Sequence, residues 1–352
     1  MVDGILTGQV KGWYVMGENP LMSDADLNHA RHALEHLEFF VAQDIFFNET
    51  NVYADVILPA ASFAEKDGTF TNSDRRVQRI RKAVPSPGRA RADWEIVTAL
   101  ARRTIARICQ RADRHPDGPS RDMDQVICEQ SERMLANWIY AHPSEIWEEM
   151  RRVTPEFFGI TYERIEREGG VHWPCPTLDH PGSPYLFAES FPRGRGKFWR
   201  VEYGTDSELP DGDYPFVLST GRLLYHWHGG TLSRSSALTE VWPECTIEMY
   251  PDDALRQGLE TGDWVDVSSR RGTITARLLA TRRSPEGTIF IPFHFAEAAA
   301  NVLTDLRLDE RAKIPDYKVC AVRVAKAAEI PARPGADTSL TDRGTIKDPL
   351  IT

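Results

Sequence analysis

Residues 217–236 read VLSTGRLLYHWHGGTLSRSS. The apolar, β-prone run Phe216-Val217-Leu218 changes character at Ser219-Thr220-Gly221-Arg222. A strand ending in small hydroxylated residues, a glycine and an arginine has the chemistry of an anion-binding turn. The glycine lets backbone approach a ligand, and the arginine can fork onto phosphate oxygens. His226 and His228 are separated by one residue, so on an extended chain they share a face. Arg234 and nearby hydroxyls extend this basic patch in an otherwise acidic protein. A plain hairpin with a surface histidine pair is the alternative that the chemistry alone leaves open.

The surrounding chain has 352 residues, room for two domains and part of a third. Its 41% hydrophobic and 27% charged content is that of an ordinary globular protein. A net charge of −10 argues against nucleic acid as a main partner. No apolar run approaches the ~20 residues of a membrane span. The five cysteines, Cys109, Cys128, Cys175, Cys245 and Cys320, form no CxxC cluster, and read as reduced thiols of a cytosolic protein.

Upstream, strands and helices alternate. Gly12–Met16, Phe39–Ala42 and Val56–Pro59 read as strands. Leu27, Ala30, Leu34 and Leu37 read as one helix face, with Ser23 or Asp24 as its cap. Such alternation predicts a mostly parallel sheet with ligands beyond the strands' carboxyl ends, where Asn19, Gln43 and Asp44 fall. Each is equally an ordinary turn residue. The run Arg75, Arg76, Arg79, Arg81, Lys82 reads as a solvated face or a source of positive potential. A helix follows from Asp93 to about Ile108, then a polar excursion, an amphipathic helix over Met123–Tyr140, and another opened by Ser144. Cys175, between two prolines, reads as a packed loop rather than a reactive thiol. Beyond Asp213 short strands dominate: 216–219, 264–268, 272–279 and 288–292, with a helix at 251–257 and Cys320 in a last strand.

The motif STGR-x-x-YH-x-H-x-GT, with MGENPLMSDAD, QDIFFNETNVYADVILPAASFAEKDGTFTNSDRRVQ, WPCP and PDYKVCAVRV, lies in the family order of molybdopterin-dependent formate dehydrogenases. These motifs cover roughly residues 11 to 325, and the chain resembles that family, part of the dimethyl sulfoxide reductase superfamily. The resemblance implies an α/β domain with a mostly parallel sheet, its N-terminal part missing. A β-rich, double-psi-barrel-like molybdopterin dinucleotide-binding domain would follow. The expected divisions are 1–110, a helical excursion at 111–204, the barrel domain at 205–326 and a mobile tail at 327–352.

The implied cofactor is molybdenum or tungsten held by two molybdopterin guanine dinucleotides. The metal's cysteine or selenocysteine ligand and the iron–sulfur clusters would lie upstream of Met1, so no catalytic or metal residue is named. By motif position, Gly17, Asn19 and Ser23 would line a nucleotide pocket, with Gln43 and Asp44 at the next strand end. Asp93, before a tryptophan, would read the guanine edge, unless it is only a helix cap. Arg222, Leu223, His226 and His228 would meet pyrophosphate and pterin, together with Phe293, Asn301, Tyr317 and Lys318. Phe293 would open a helix running to Ala298, and His294 reads equally as a structural histidine. The implied reaction is oxidation of formate to carbon dioxide, with electron-accepting subunits of flavin or NAD type as partners, in the cytoplasm. Assimilatory nitrate reductase, a cofactor-free relative such as the large iron–sulfur subunit of complex I, and a free-standing dinucleotide-binding module are the alternatives. Retention of Arg222, His226, Asp93 and Lys318 speaks against decay.

Overall fold

The protein is described by a computed structural model over residues 1–114, 121–200, 208–309 and 311–330. From Val2 to Pro59 helix and strand alternate: α1 (Val2–Leu6), β1 (Gly12–Met16), α2 (Pro20–Ser23), α3 (Leu27–Leu34), β2 (Phe39–Asp44) and β3 (Val56–Pro59). Helix α3 forms because Leu27, Ala30, Ala33 and Leu34 recur at helical spacing, and all four are buried. Its cap is Asp26, whose carboxylate accepts the His29 amide at 3.3 Å, not Ser23 or Asp24. Ser23 instead closes α2, and Leu37 joins the core from beyond the helix end. The sheet order is β1-β2-β3. Bonds from Asp55 N to Phe40 O and from Ala60 N to Asp44 O advance the same way along β2 and β3, so that pair is parallel.

Two compact units emerge: Met1–Ala42, Phe46–Val56 and Glu202–Thr352 form the first, and Gln43–Ile45 with Ile57–Val201 the second. This grouping puts the first α/β residues with the barrel rather than with residues 57–110.

The second unit holds an antiparallel sheet that the sequence did not announce. Strands β4 (Gly68–Thr71) and β5 (Arg76–Ile80) pair as a hairpin, and β6 (Val171–His172) adds to β5. Val77 of β5 is fully buried with Trp147, Ile160 and Cys175. The basic run is therefore not one solvated face. Arg79 lies 4.2 Å over the Tyr162 ring and pairs with Glu166 at 2.7 Å. Helix α4 (Asp93–Arg114) runs past Ile108, so the polar excursion begins later than its composition suggests. The single helix expected over 123–140 is two, α5 (Arg121–Glu129) and α6 (Ser131–Asn137), broken at Gln130. Both halves keep one amphipathic period, which hides the break. Arg111 of α4 grips Asp124 of α5 with two bonds, at 3.0 and 2.6 Å. Helices α7 (Pro143–Val153) and α8 (Tyr162–Glu168) complete this unit. Cys175 is fully buried under the Arg164 guanidinium, as a packed loop requires.

In the first unit the remaining elements are β7 (Phe216–Gly221), α9 (Leu238–Val241), β8 (Thr246–Met249), α10 (Pro251–Arg256), β9 (Trp264–Ser268), β10 (Thr273–Ala280), β11 (Thr288–Pro292) and β12 (Cys320–Lys326). The strands close into a barrel in the order β10-β8-β11-β7-β12-β9. β7 runs parallel to β11 and β8 to β10; the other four pairings are antiparallel. Alternate residues fill the interior, Phe216 and Leu218 from β7, Ile247 and Met249 from β8, Val265 and Val267 from β9. The sequence reading passed over β8, whose short run contains Glu248. That carboxyl is buried and paired with Arg283 at 2.7 Å; burial pushes its pKa up. Phe293 opens no helix, and only a 3₁₀ turn forms at Ala296–Ala298. Among the described residues no helix is long and apolar enough to cross a membrane. The expected mobile tail lies outside the described residues beyond 330.

Candidate functional site

In the first unit the loop after β1 meets the loops at the barrel's end. Gly17 turns the chain at φ +66°, with open space where a Cβ would stand. Asn19 is buried and fully engaged. Its amide donates to Glu49 at 2.7 Å and Thr231 at 3.1 Å, and its oxygen accepts from the Thr50 hydroxyl at 2.7 Å. Ser23 contributes its carbonyl, which accepts the Tyr317 hydroxyl at 2.8 Å. That phenol is pushed up to about 12 by burial and then by the Asp24 carboxylate. Asn301, buried in a 3₁₀ turn, donates its amide to Met22 O at 3.0 Å. Its Oδ1 is shut from solvent with no partner in the structure. A buried orphan acceptor of this kind is costly and asks for a donor.

Arg222 leaves the end of β7 into an exposed position, with its guanidinium 5.8 Å from the Phe293 ring centre and 5.6 Å from that of Trp227. Its other neighbour is His228 Nδ1, at 3.2 Å. Lys318 folds its ammonium onto the Thr220 carbonyl. Burial, and then the Arg222 charge, hold this lysine below the usual range. Among the described residues neither cation has a carboxylate partner. Two cations that repel one another and have no carboxylate partner among the described residues, on a chain of net charge −10, offer the donor chemistry that suits an anion.

The histidine pair is not what its spacing suggests. The chain from Leu223 to Gly230 turns instead of extending, so the two rings do not share a face. His226 is buried, and its Nε2 donates to Trp242 O at 2.8 Å while Nδ1 faces the Ser233 hydroxyl at 3.3 Å. Both ring nitrogens are thus used internally. His228 is exposed at φ +44° beside Arg222. Leu223 packs on the barrel core and gives its amide to His294. Arg234 is also committed, paired with Glu297 and lying 4.7 Å over the Phe295 ring. Gly221 leaves room for the Phe290 ring, which an added Cβ would approach to 2.4 Å.

The second unit carries a separate constellation. Gln43, 1% exposed, donates its amide to Asp93 Oδ1 at 2.7 Å, and Lys66 donates to Oδ2. Asp93 is the first residue of α4, and Ala92 supplies the first helical carbonyl, so Asp93 is not the cap. Asp44 closes on its own strand end, where its carboxylate accepts the Ile45 amide at 2.6 Å. Sequence reasoning missed Lys66, although it lies inside the quoted Glu65-Lys66-Asp67-Gly68 motif, and Thr231, the threonine of the Gly-Thr pair. Nothing in the local pattern marked their partners, 27 and 212 positions away.

Comparison with known proteins agrees with this chemistry. Residues 1–103 match the family described as molybdopterin oxidoreductase, and residues 216–321 the molydopterin dinucleotide binding domain. The chain is 46% identical over 320 residues to the F420-dependent formate dehydrogenase subunit alpha of Methanocaldococcus jannaschii, covering 90% of this chain and 43% of that protein. To the F420-dependent formate dehydrogenase 1 subunit alpha of Methanococcus maripaludis it is 42% identical, with the same coverage. The assimilatory nitrate reductase catalytic subunit of Bacillus subtilis is 36% identical over 334 residues, covering 92% of this chain and 43% of that one. Among solved structures, acetylene hydratase from Pelobacter acetylenicus shares the fold at a TM-score of 0.59 and 18% identity, over 93% of this chain and 46% of its own. The chain thus spans less than half the length of the curated relatives it matches. Through residues 1–103 and 216–321 it belongs to the molybdopterin oxidoreductase and molybdopterin dinucleotide-binding families, and formate dehydrogenase alpha subunits are relatives along nine-tenths of its length.

Proposed function

We propose that this chain is the cofactor-binding part of a formate dehydrogenase catalytic subunit, and that it holds molybdopterin guanine dinucleotide. The observation that carries the reading is the Arg222–Lys318 pair at the end of β7, two cations with no carboxylate partner among the described residues. Arg222 would fork onto the pyrophosphate, and Lys318 would add a point charge beside it. The orphan Oδ1 of Asn301 would accept an N–H from the ligand. Asn19, Ser23 and Tyr317 fix the neighbouring loop through the bonds they make to it. In the second unit the Asp93 carboxylate has one lone pair in use on each oxygen, to Gln43 and Lys66. A second lone pair on each remains, which suits the adjacent ring N–H and amino group of guanine. Gln43 and Lys66 would fix the plane of that carboxylate before the base arrives.

When bound, the cofactor supplies the two-electron chemistry by which formate becomes carbon dioxide. The residues of this chain bind and orient it; none is assigned to proton transfer. The two parallel pairings within the six-strand barrel support a double-psi topology. The metal, molybdenum or tungsten, and the iron–sulfur clusters are assigned to the complete subunit, and an electron-accepting subunit is its partner. The buried thiols of Cys175, Cys245 and Cys320 support a cytoplasmic setting. The nearest competing reading is a nitrate reductase, raised by the Bacillus subtilis relative. The complete subunit should be purified and assayed for formate-dependent dye reduction and for nitrate-dependent oxidation of reduced dye. Formate turnover without nitrate turnover is expected. Nitrate turnover alone overturns the formate assignment.

A further inference from the structure

We infer that His294 is a positioning residue that sets the conformation of the loop carrying Arg222. The inference rests on the reading of Arg222 as an anion-binding residue. His294 follows β11 and Phe293, and is 1% exposed. Its Nε2 accepts the backbone N–H of Leu223 at 2.8 Å, and its Nδ1 donates to the carbonyl of His228. One imidazole therefore clips both ends of the Leu223–His228 turn. Leu223 directly follows Arg222, and His228 Nδ1 lies 3.2 Å from the Arg222 guanidinium. The two bonds fix where the arginine leaves the barrel and where its neighbour stands.

The bonding pattern requires a neutral ring with its proton on Nδ1, because a protonated Nε2 could not accept from Leu223. The surroundings favour that form. Burial holds His294 below the usual histidine range, and His226, Arg222 and Arg234 oppose its charging, while the bond to His228 favours it. The His226 ring centre is 5.7 Å away, but His226 makes its own bonds to Ser233 and Trp242. The His294 carbonyl closes the turn from a further side, 2.4 Å from where a Cβ on Gly230 would stand. No hydrophobic residue of similar size can make both clips. That distinguishes a positioning role from core filling.

The test uses the complete subunit isolated with its cofactor, and reads pterin content per protein together with the unfolding midpoint. The variants are His294→Phe, His294→Gln, Arg222→Ala and Ile291→Val, the last a conservative loss in the fully buried core of β11. His294→Phe should retain about tenfold less pterin, the loss of roughly one charge-assisted contact. Ile291→Val should retain full pterin at a comparable midpoint. His294→Gln can still accept from Leu223 and should fall between parent and His294→Phe. Nitrogen-15 spectra of the parent at neutral pH should show His294 as one neutral Nδ1–H tautomer. If Arg222→Ala loses pterin while His294→Phe keeps it, the positioning role is wrong and the anion site stands. If Arg222→Ala keeps full pterin, the anion reading itself fails. Equal pterin loss in Ile291→Val and His294→Phe would reduce His294 to packing. If His294→Phe does not fold, the His294→Gln result and the tautomer decide: full pterin in the glutamine variant, or a charged ring, overturns the inference.

Discussion

Gly230→Ala isolates the strain that shapes the Arg222 loop. Gly230 sits at φ +84°, where a side chain costs about 1–2 kcal/mol from backbone sterics alone. A Cβ built there stands 2.4 Å from the His294 carbonyl oxygen and 3.1 Å from Cγ and Cδ of Arg234. Ordinary contacts begin near ~3.5 Å, so the His294 backbone has to shift, and overpacking of this kind adds about 1–3 kcal/mol. The Arg234 side chain can give way; a backbone carbonyl whose own ring is held at both nitrogens gives far less. The expected loss is therefore about 2–5 kcal/mol. Gly17→Ala is the matched control, since Gly17 also has positive φ, +66°, with nothing within 4 Å of its Cβ position. It should lose only the backbone component, about 1–2 kcal/mol. Urea unfolding of both variants and the parent, followed by tryptophan fluorescence, measures the difference. Equal destabilisation by the two substitutions refutes the steric argument and the loop geometry behind it.

Three further outcomes follow from burial and charge. Cys175, Cys245 and Cys320 are buried, while Cys109 and Cys128 are half-buried. Burial pushes the Cys320 thiol up to about 11 and raises Cys175 and Cys245 as well, so a thiol reagent at neutral pH should label only Cys109 and Cys128 before unfolding, counted by mass spectrometry. Ile247→Ala, in the fully buried barrel interior, should cost about 2–5 kcal/mol by chemical denaturation. Because the native pKa of His294 is depressed, the unfolded chain takes up that proton first as pH falls below about 6.5. Its contribution to stability is complete above that pH and is lost as pH falls toward the native value, with a slope of at most about 1.4 kcal/mol per pH unit. His294→Phe should flatten that slope, and an unchanged slope would contradict it.

Much of the framework was legible because single periods dominated it. The short apolar runs at Gly12–Met16 and Val56–Pro59 marked β1 and β3, and the strands at 264–268 and 288–292 appear where expected. What escaped depended on partners distant in sequence. β5 read as a charged run because the Trp147–Ile160 core that buries Val77 lies far along the chain. The same holds at the site. Arg222 was marked as a candidate by the strand-end pattern and Lys318 only by its motif position, whereas the spacing of His226 and His228 misled because the loop turns between them. His226 proved internal only once Trp242 and Ser233 were in view. His294 was invisible as a clip because the Leu223 amide and the His228 carbonyl are backbone groups, on which sequence is silent.

Pyrophosphate binding by the chain freed of cofactor tests the central claim most directly, measured by titration calorimetry on the parent, Arg222→Ala, Lys318→Met and the double variant. Charge-assisted bonds contribute about 1.5–3 kcal/mol each, so each single substitution should weaken binding by roughly 10- to 150-fold, and the double variant should show no saturable binding. Neither position is buried in the core, so unfolding midpoints should stay close to the parent. A double variant that binds pyrophosphate as the parent does would contradict the assignment of the Arg222–Lys318 pair as the anion site.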